Sequence, residues 1–277
     1  MPDDPSAVPV TTIAPGVAGI SWGPAVLADG WTAAVGAVRP QVEAALVDHV
    51  RVEARVRADD ALGQRVATWS GLRREGVLRG LPVTGGRPGE TADHVLYARL
   101  ADDVPADQPE GFRALLNSFL PRKRAIGQLL VRDAAGRVLL CQLTYKRDWD
   151  LPGGVVELNE SPRLATSREV LEELALEIPA GRLLLTDWLP PWSGWDDALT
   201  LVFDGGVREA DDLLARVVRE EREIKGLAFC TPEQVEERCA DFTARRVRAA
   251  LAAVDGQGVA FTESGRDVGD VGDVGAC

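Results

Sequence analysis

The chain has 277 residues, 45% of them apolar and 27% charged, with a formal net charge of −12. Its length exceeds one typical domain, so two are expected. Its acidity argues against duplex nucleic acid or an anionic membrane surface as a partner, because both want a basic face. No run of 18 apolar residues and no basic-then-apolar leader appears. The four cysteines (Cys141, Cys230, Cys239 and Cys277) lack metal-ligand spacing, and there are only two histidines. A cytoplasmic protein with reduced thiols and no His-based metal site is expected.

Residues 1 to about 25 are poor in charge and rich in Pro and Gly, and read as irregular. From Trp31 to Val50 the pattern is helical, although Pro40 should start, kink or break a helix. Val50 to Ala58 alternates with period two and reads as a half-buried strand. Asp60 can cap a helix running to Ser70, with Gly71 as its stop. Leu72–Arg79 and Ala92–Leu100 read as two strands joined by a Gly/Pro loop. This order, with Arg65-Val66-Ala67, Gly71-Leu72-Arg73-Arg74-Glu75-Gly76 and Tyr97, resembles the C-terminal half of a GNAT acetyltransferase. The departures are large. Only about 50 residues precede the stretch, and no glycine-rich pyrophosphate loop opens a helix among them. Residues 1–118 are therefore read as a degenerate GNAT-like half domain with a structural role, and none of its residues is assigned chemistry.

Asp102 to Glu110 is polar and Pro-bearing, and reads as a linker before a short helix, Gly111–Phe119. The second domain is expected over 119–255. Ala125–Arg132 and Arg137–Leu143 read as strands joined by the turn Asp133-Ala134-Ala135-Gly136. Lys146 and Arg147 follow, as candidates for phosphate contact or as solvated cations. Leu151-Pro152-Gly153-Gly154 is a turn that lets backbone come close to an ion or a phosphate.

The stretch Gly154 to Leu176 carries the chemistry. Gly154, Glu160, Arg168, Glu169, Glu172 and Glu173 stand at fixed spacing, with Leu176 closing the pattern. At ordinary usage such a set would arise by chance roughly once in 10⁷ starts. Ser161-Pro162 reads as N-cap and first helical residue of a helix to Leu176. Leu164, Val170, Leu171 and Leu174 are expected on its apolar face, with Glu169, Glu172 and Glu173 opposite. Carboxylates so crowded repel one another unless a cation binds. Their oxygens suit Mg²⁺ or Mn²⁺, which polarise phosphoryl oxygens and lower the pKa of water. Arg168 is always charged, so it can hold a carboxylate but cannot act as a base.

The pattern resembles the Nudix box, with Ala175 where that family has its second glycine. The resemblance implies an α/β/α sandwich with a mixed sheet and a hydrolase that cleaves a diphosphate linkage in a nucleoside diphosphate-linked compound. It implies Glu169, Glu172 and Glu173 as metal ligands with the Gly154 carbonyl nearby, and Arg168 and Glu160 as supports. The family's general base varies in position.

Beyond the box, Arg182–Leu189 and Ala198–Asp204 read as strands. Trp188, Trp192 and Trp195 around their connection offer a stacking face for a nucleobase or a seal for the sheet edge. Pro191 falls fifteen residues after the box, which within the family is associated with ADP-ribose-type substrates. Glu220, Glu221 and Glu223 lie where a distal base or further ligand could come from, with Glu223 the first choice. Thr231-Pro232-Glu233-Gln234 is a capping box opening helices to about Val254, whose Arg245, Arg246 and Arg248 read as a solvated face. Residues 256–277, with repeated Asp-Val-Gly, read as a disordered tail.

Together these features give a small α/β half domain followed by a Nudix sandwich. The expected activity is Mg²⁺-dependent (or Mn²⁺-dependent) hydrolysis of a small nucleotide compound, ADP-ribose-like or a (d)NTP. A homodimer is compatible with this. The alternatives are a non-hydrolytic nucleotide sensor, against which the intact glutamates argue, and a bifunctional acetyltransferase–hydrolase, against which the absent pyrophosphate loop argues.

Overall fold

The computed structural model describes residues 7–83, 87–256 and 258–267. The chain divides into two compact units, Met1–Pro121 and Arg122–Cys277.

In the first unit, strands β1 (Val10–Ala14) and β2 (Val17–Ile20) form a hairpin closed at Gly16, where φ is 74°. Helices α1 (Pro24–Leu27) and α2 (Trp31–Asp48) cross to β3 (Arg51–Arg57), which pairs parallel with β2. Then follow α3 (Ala61–Trp69), β4 (Arg73–Pro82), β5 (Thr91–Leu100) and α4 (Pro109–Phe119). The sheet order is β1-β2-β3-β5-β4. Asp60 caps α3 through the Gly63 amide at 2.8 Å. Three expectations change here. Within the segment read as irregular, residues 10–20 are regular, because Ala18 and Ile20 bury one face of a strand too short to show clear periodicity. Helix α2 runs through Pro40 unbroken, its buried residues Ala34, Val38, Val42 and Ala45 holding it on the sheet. The stretch Asp102–Glu110 does not part the units. Helix α4 packs back on β4, with the Arg74 amide donating to Ser118 Oγ at 3.2 Å and the Trp69 and Phe112 rings 6.4 Å apart.

The second unit holds β6 (Arg124–Arg132), β7 (Val138–Leu143), β8 (Trp149–Asp150), β9 (Gly153–Val155), α5 (Pro162–Leu174), β10 (Leu183–Leu189), β11 (Ala198–Val207), α6 (Ala210–Arg216), β12 (Ile224–Cys230), α7 (Pro232–Arg238), α8 (Asp241–Val254), β13 (Ala260–Glu263) and β14 (Arg266–Asp267). The sheet runs β12-β7-β6-β11-β10-β13-β14, with β8 on β7 and β9 on β6. It is mixed: β6 and β11, and β10 and β13, are parallel. Side chains alternate along β6. Leu129 and Val131 pack with Val170 and Leu174 of α5 and Leu213 of α6. Leu130 packs with Val235 of α7 and Ala244 and Val247 of α8. The unit is thus an α/β/α sandwich, as expected.

The segment expected as a disordered tail is ordered over Ala260–Asp267. Strand β13 adds to the edge of β10, and Thr262 is fully buried. Its few apolar residues hid this, because the segment is held by backbone pairing and one buried hydroxyl. The Asp-Val-Gly repeats after Asp267 lie outside the described residues.

Helix α5 ends at Leu174, and Ala175 caps it in the left-handed conformation at φ 55°. A non-glycine residue there costs about 1–2 kcal/mol. Glycine gives part of that back through the unfolded chain's entropy. Ala175→Gly, at an exposed position, should therefore stabilise the protein by roughly 0.5–1 kcal/mol, read as a rise in the urea midpoint with unchanged slope.

Candidate active site

Glycines bring the box helix close to the sheet. A Cβ at Gly127 on β6 would lie 2.2 Å from Thr166 Oγ1 of α5, and one at Gly153 would lie 2.1 Å from the Gly127 carbonyl oxygen. A Cβ at Gly154 would sit 2.5 Å from the Glu169 carboxyl group. The Glu169 carboxylate therefore lies over bare backbone at Gly154. Gly154 in turn pairs with Gly127 across β6 and β9.

The helix is rotated from the sequence expectation. Its buried residues are Ala165, Thr166, Val170, Glu173 and Leu174, while Leu164 and Leu171 are exposed. Glutamates face the glycine turn because the turn has no side chains to exclude them. Glu173 is 6% exposed, and its Oε2 accepts the Gly153 amide at 3.1 Å. Burial first, then the charges of Glu169, Glu223 and Asp150, push its pKa up to about 8 against the pull of the Gly153 amide. Burial likewise raises Glu169, although Arg168 opposes it. Glu223, just before β12, follows a segment held to the end of the helix by the Glu220 amide, which donates to the Glu173 carbonyl at 2.9 Å, and its charge adds to the rise of both Glu169 and Glu173. The helix, the turn and the β12 approach thus bring Glu169, Glu173 and Glu223 together.

Arg168 is the hub of the box. Its Nε and Nη2 donate to the two Glu160 oxygens at 2.9 and 3.0 Å, and its Nη1 to Glu172 Oε2 at 2.8 Å. It also pairs with Glu169 at 3.1 Å. The two-pronged grip on Glu160 ties the loop before the helix to its second turn and holds Glu160 below the usual carboxylate range. Ser161 occupies the N-cap position, but its hydroxyl makes no capping bond. Among the described residues no three acidic, His or Cys side chains form a ready-made ion cage, and both Glu169 and Glu172 pair with Arg168.

Lys146 pairs with Asp150 at 2.6 Å, and Arg147 is exposed. Trp192 and Trp195 close the β10–β11 hairpin through paired backbone bonds of 3.0 and 2.8 Å around Ser193 and Gly194, both at positive φ. Both rings are more than half exposed. Trp192 meets Phe242 edge-on at 5.5 Å, and Arg124 lies 5.0 Å over Trp195. Arg124 is three residues from Gly127 along β6, so the hairpin stands at the strand end nearest the glycine turn.

Sequence reasoning missed a buried polar network on the α8 side. Arg246 is 2% exposed and is not part of a solvated face. Its Nε donates to Asp187 Oδ2 at 2.8 Å and its Nη1 to Gln128 Oε1 at 3.2 Å. Arg248 is solvated, as expected, while Arg245 Nε donates to the Ser264 carbonyl at 2.9 Å. One signal was available: Arg246 lies on the same helical stripe as the apolar Phe242 and Ala250.

A glutamate-rich helix laid on a glycine turn in an α/β/α sandwich is an arrangement for ion-assisted chemistry at phosphorus. The NUDIX domain family matches residues 121–251. A MutT-like protein of Streptomyces ambofaciens is 31% identical over 140 residues, spanning 48% of this chain and 78% of the relative. Among solved structures, the MutT protein of Methanosarcina mazei Go1 is 22% identical over 50% of this chain and 99% of that one, with a TM-score of 0.42. The MutT NUDIX hydrolase of Burkholderia pseudomallei is 20% identical over 48% and 99%, with a TM-score of 0.40. The chain belongs to the Nudix family, and is a hydrolase acting on acid anhydrides in phosphorus-containing compounds. Nudix hydrolases generally use divalent metal ions. No helix among the described residues is long and apolar enough to cross a membrane.

Proposed function

We propose that this protein is a cytoplasmic, Mg²⁺-dependent pyrophosphohydrolase that cleaves the diphosphate linkage of a small nucleoside diphosphate-linked compound, ADP-ribose-like or a (d)NTP. The observation that carries this is Glu173. It is a buried carboxyl whose Oε2 accepts the Gly153 amide, and the charges of Glu169 and Glu223 act on it. A buried carboxyl under added negative charge favours a bound cation.

Glu169, Glu172, Glu173 and the Gly154 carbonyl would hold the ion. Bound Mg²⁺ or Mn²⁺ would polarise a phosphoryl oxygen and lower the pKa of water. Glu223 takes the proton of the water that attacks phosphorus. The P–O bond to the leaving phosphate breaks, and two phosphate esters result, or an ester and diphosphate. Arg168 and Glu160 keep the helix N-terminus and its loop in register, and Gly153 leaves room for the turn. Lys146 and Arg147 meet substrate phosphate, and Trp192 and Trp195 offer a face for the base.

The test is a panel of nucleotide diphosphate compounds with Mg²⁺ or Mn²⁺, assayed for phosphate-containing products, with Glu172→Gln and Glu173→Gln proteins as controls. Turnover lost in both controls is the expected result. Nucleotide binding without turnover of any compound would leave the sensor reading instead.

The N-terminal unit is proposed as a GNAT-like half domain that supports the hydrolase. Its strand–helix–strand–strand run over residues 51–100, with β5 inserted between β3 and β4, supports that reading. The alternative for this unit is the bifunctional acetyltransferase–hydrolase. Measured acetyl-CoA binding would support that alternative.

A further inference from the structure

We propose that Arg246 is a positioning residue for the catalytic turn, and that the C-terminal strand pair β13–β14 takes part through it. The proposal deepens the hydrolase reading above and rests on it for the meaning of the turn.

A directed chain of hydrogen bonds leads from residues 262–265 to the glutamate cluster. Thr262 Oγ1 and the Gly265 amide both donate to Asp187 Oδ1 at 2.8 Å. This leaves Oδ2 for Arg246 Nε. Arg246 Nη1 then donates to the Gln128 carbonyl oxygen, which turns the Gln128 amide the other way, toward Asp150 Oδ1 at 2.8 Å. Flipping that amide would set NH₂ against guanidinium, so Arg246 fixes its orientation. Asp150 Oδ1 also accepts the Leu151 amide at 2.9 Å, and Oδ2 accepts Lys146. Leu151 begins the turn whose Gly153 amide holds Glu173.

Each link is buried. Asp187 is 0% exposed, Gln128 4% and Asp150 8%. Burial alone would raise the Asp150 carboxyl, but Lys146 and Arg246 outweigh it and hold it below the usual range. Such outer partners orient inner ligands, and their loss commonly lowers metal affinity or activity by about 10–100-fold.

A purely structural role must be separated from a positioning one. The double variant Asp187→Asn/Arg246→Met removes both buried charges, while the new amide oxygen still accepts Thr262 Oγ1 and the Gly265 amide. It also removes the constraint on Gln128. Gln128→Glu is the second variant: it keeps a partner for Arg246 but puts an acceptor where the donor to Asp150 stood. Two quantities are read in the full-length protein: amide exchange at Gly153 without metal, followed by NMR, and Mn²⁺ affinity by EPR titration. In both variants Gly153 exchange should quicken and Mn²⁺ affinity fall, each by about tenfold or more, while the double variant stays folded. Gly153 exchange and Mn²⁺ affinity within about twofold of wild type in either folded variant would overturn the proposal. If no compound is turned over, the hydrolase reading fails while the exchange readout still decides the role of Arg246.

Discussion

Glu173→Gln should cut turnover by orders of magnitude and yet remove the stability loss that Glu173 brings as pH rises. Gln keeps an acceptor for the Gly153 amide and loses only the charge. An ion ligand that helps stabilise transition-state charge contributes several kcal/mol, so kcat should fall by roughly 10²–10⁴-fold. The stability effect has the opposite sign. Burial and acidic neighbours push the Glu173 carboxyl up to about 8, against 4.5 as its ordinary value. Below the lower value both states are protonated and Glu173 carries no penalty. As pH rises from about 4.5 to about 8 the unfolded chain loses the proton first, so stability falls across that window, by up to several kcal/mol. Glu173→Gln has no carboxyl to titrate there and should show a flatter profile, keeping the slope due to other raised groups such as Glu169. Urea midpoints at pH 5, 7 and 9 in the presence of chelator measure this. Parallel profiles for the two proteins would show that Glu173 is not held protonated, and the case for a buried cation-seeking carboxyl would fall.

The box was legible because its chemistry sits in identities at fixed spacing. Glu169, Glu172, Glu173 and Arg168 are local in sequence, and the helix that carries them fell within two residues of its expected end. What the sequence obscured was which way that helix turns. Apolar counting put Leu164 and Leu171 inward, but the face that packs is set by partners about 40 residues upstream and 10 to 20 away, where Gly127, Gly153 and Gly154 open space for Thr166 and Glu169. Arg246 was misread for a related reason. A buried arginine is rare without a partner, and its partners Asp187 and Gln128 lie 59 and 118 residues away. Strands β1, β2 and β13 escaped notice because they are short. They are held by pairing, β1 with β2, β2 with β3 and β13 with β10, which no local pattern records.

Gly153→Ala should cost about 3 kcal/mol or more of stability and most of the activity, and the two losses have separate causes. Gly153 sits at φ 135°, where an L side chain is strained by roughly 1–3 kcal/mol. Its new methyl would also stand 2.1 Å from the Gly127 carbonyl oxygen, a backbone atom that no rotamer change can move. Overpacking of that kind costs a further 1–3 kcal/mol or so. Relief requires β9 to draw back from β6 by about 1 Å, and displacement of catalytic groups by that much costs on the order of 10²-fold in rate. Gly136→Ala is the matched control. Gly136 is also at positive φ, 77°, but is exposed with nothing near its missing Cβ, so it should lose only about 1–2 kcal/mol and no activity. Melting curves and kcat for the pair separate strain from contact. Equal destabilisation would mean that conformation alone matters at Gly153. A Gly153→Ala enzyme with wild-type kcat would mean that the close approach of β9 to β6 does not set the geometry of Glu169 and Glu173.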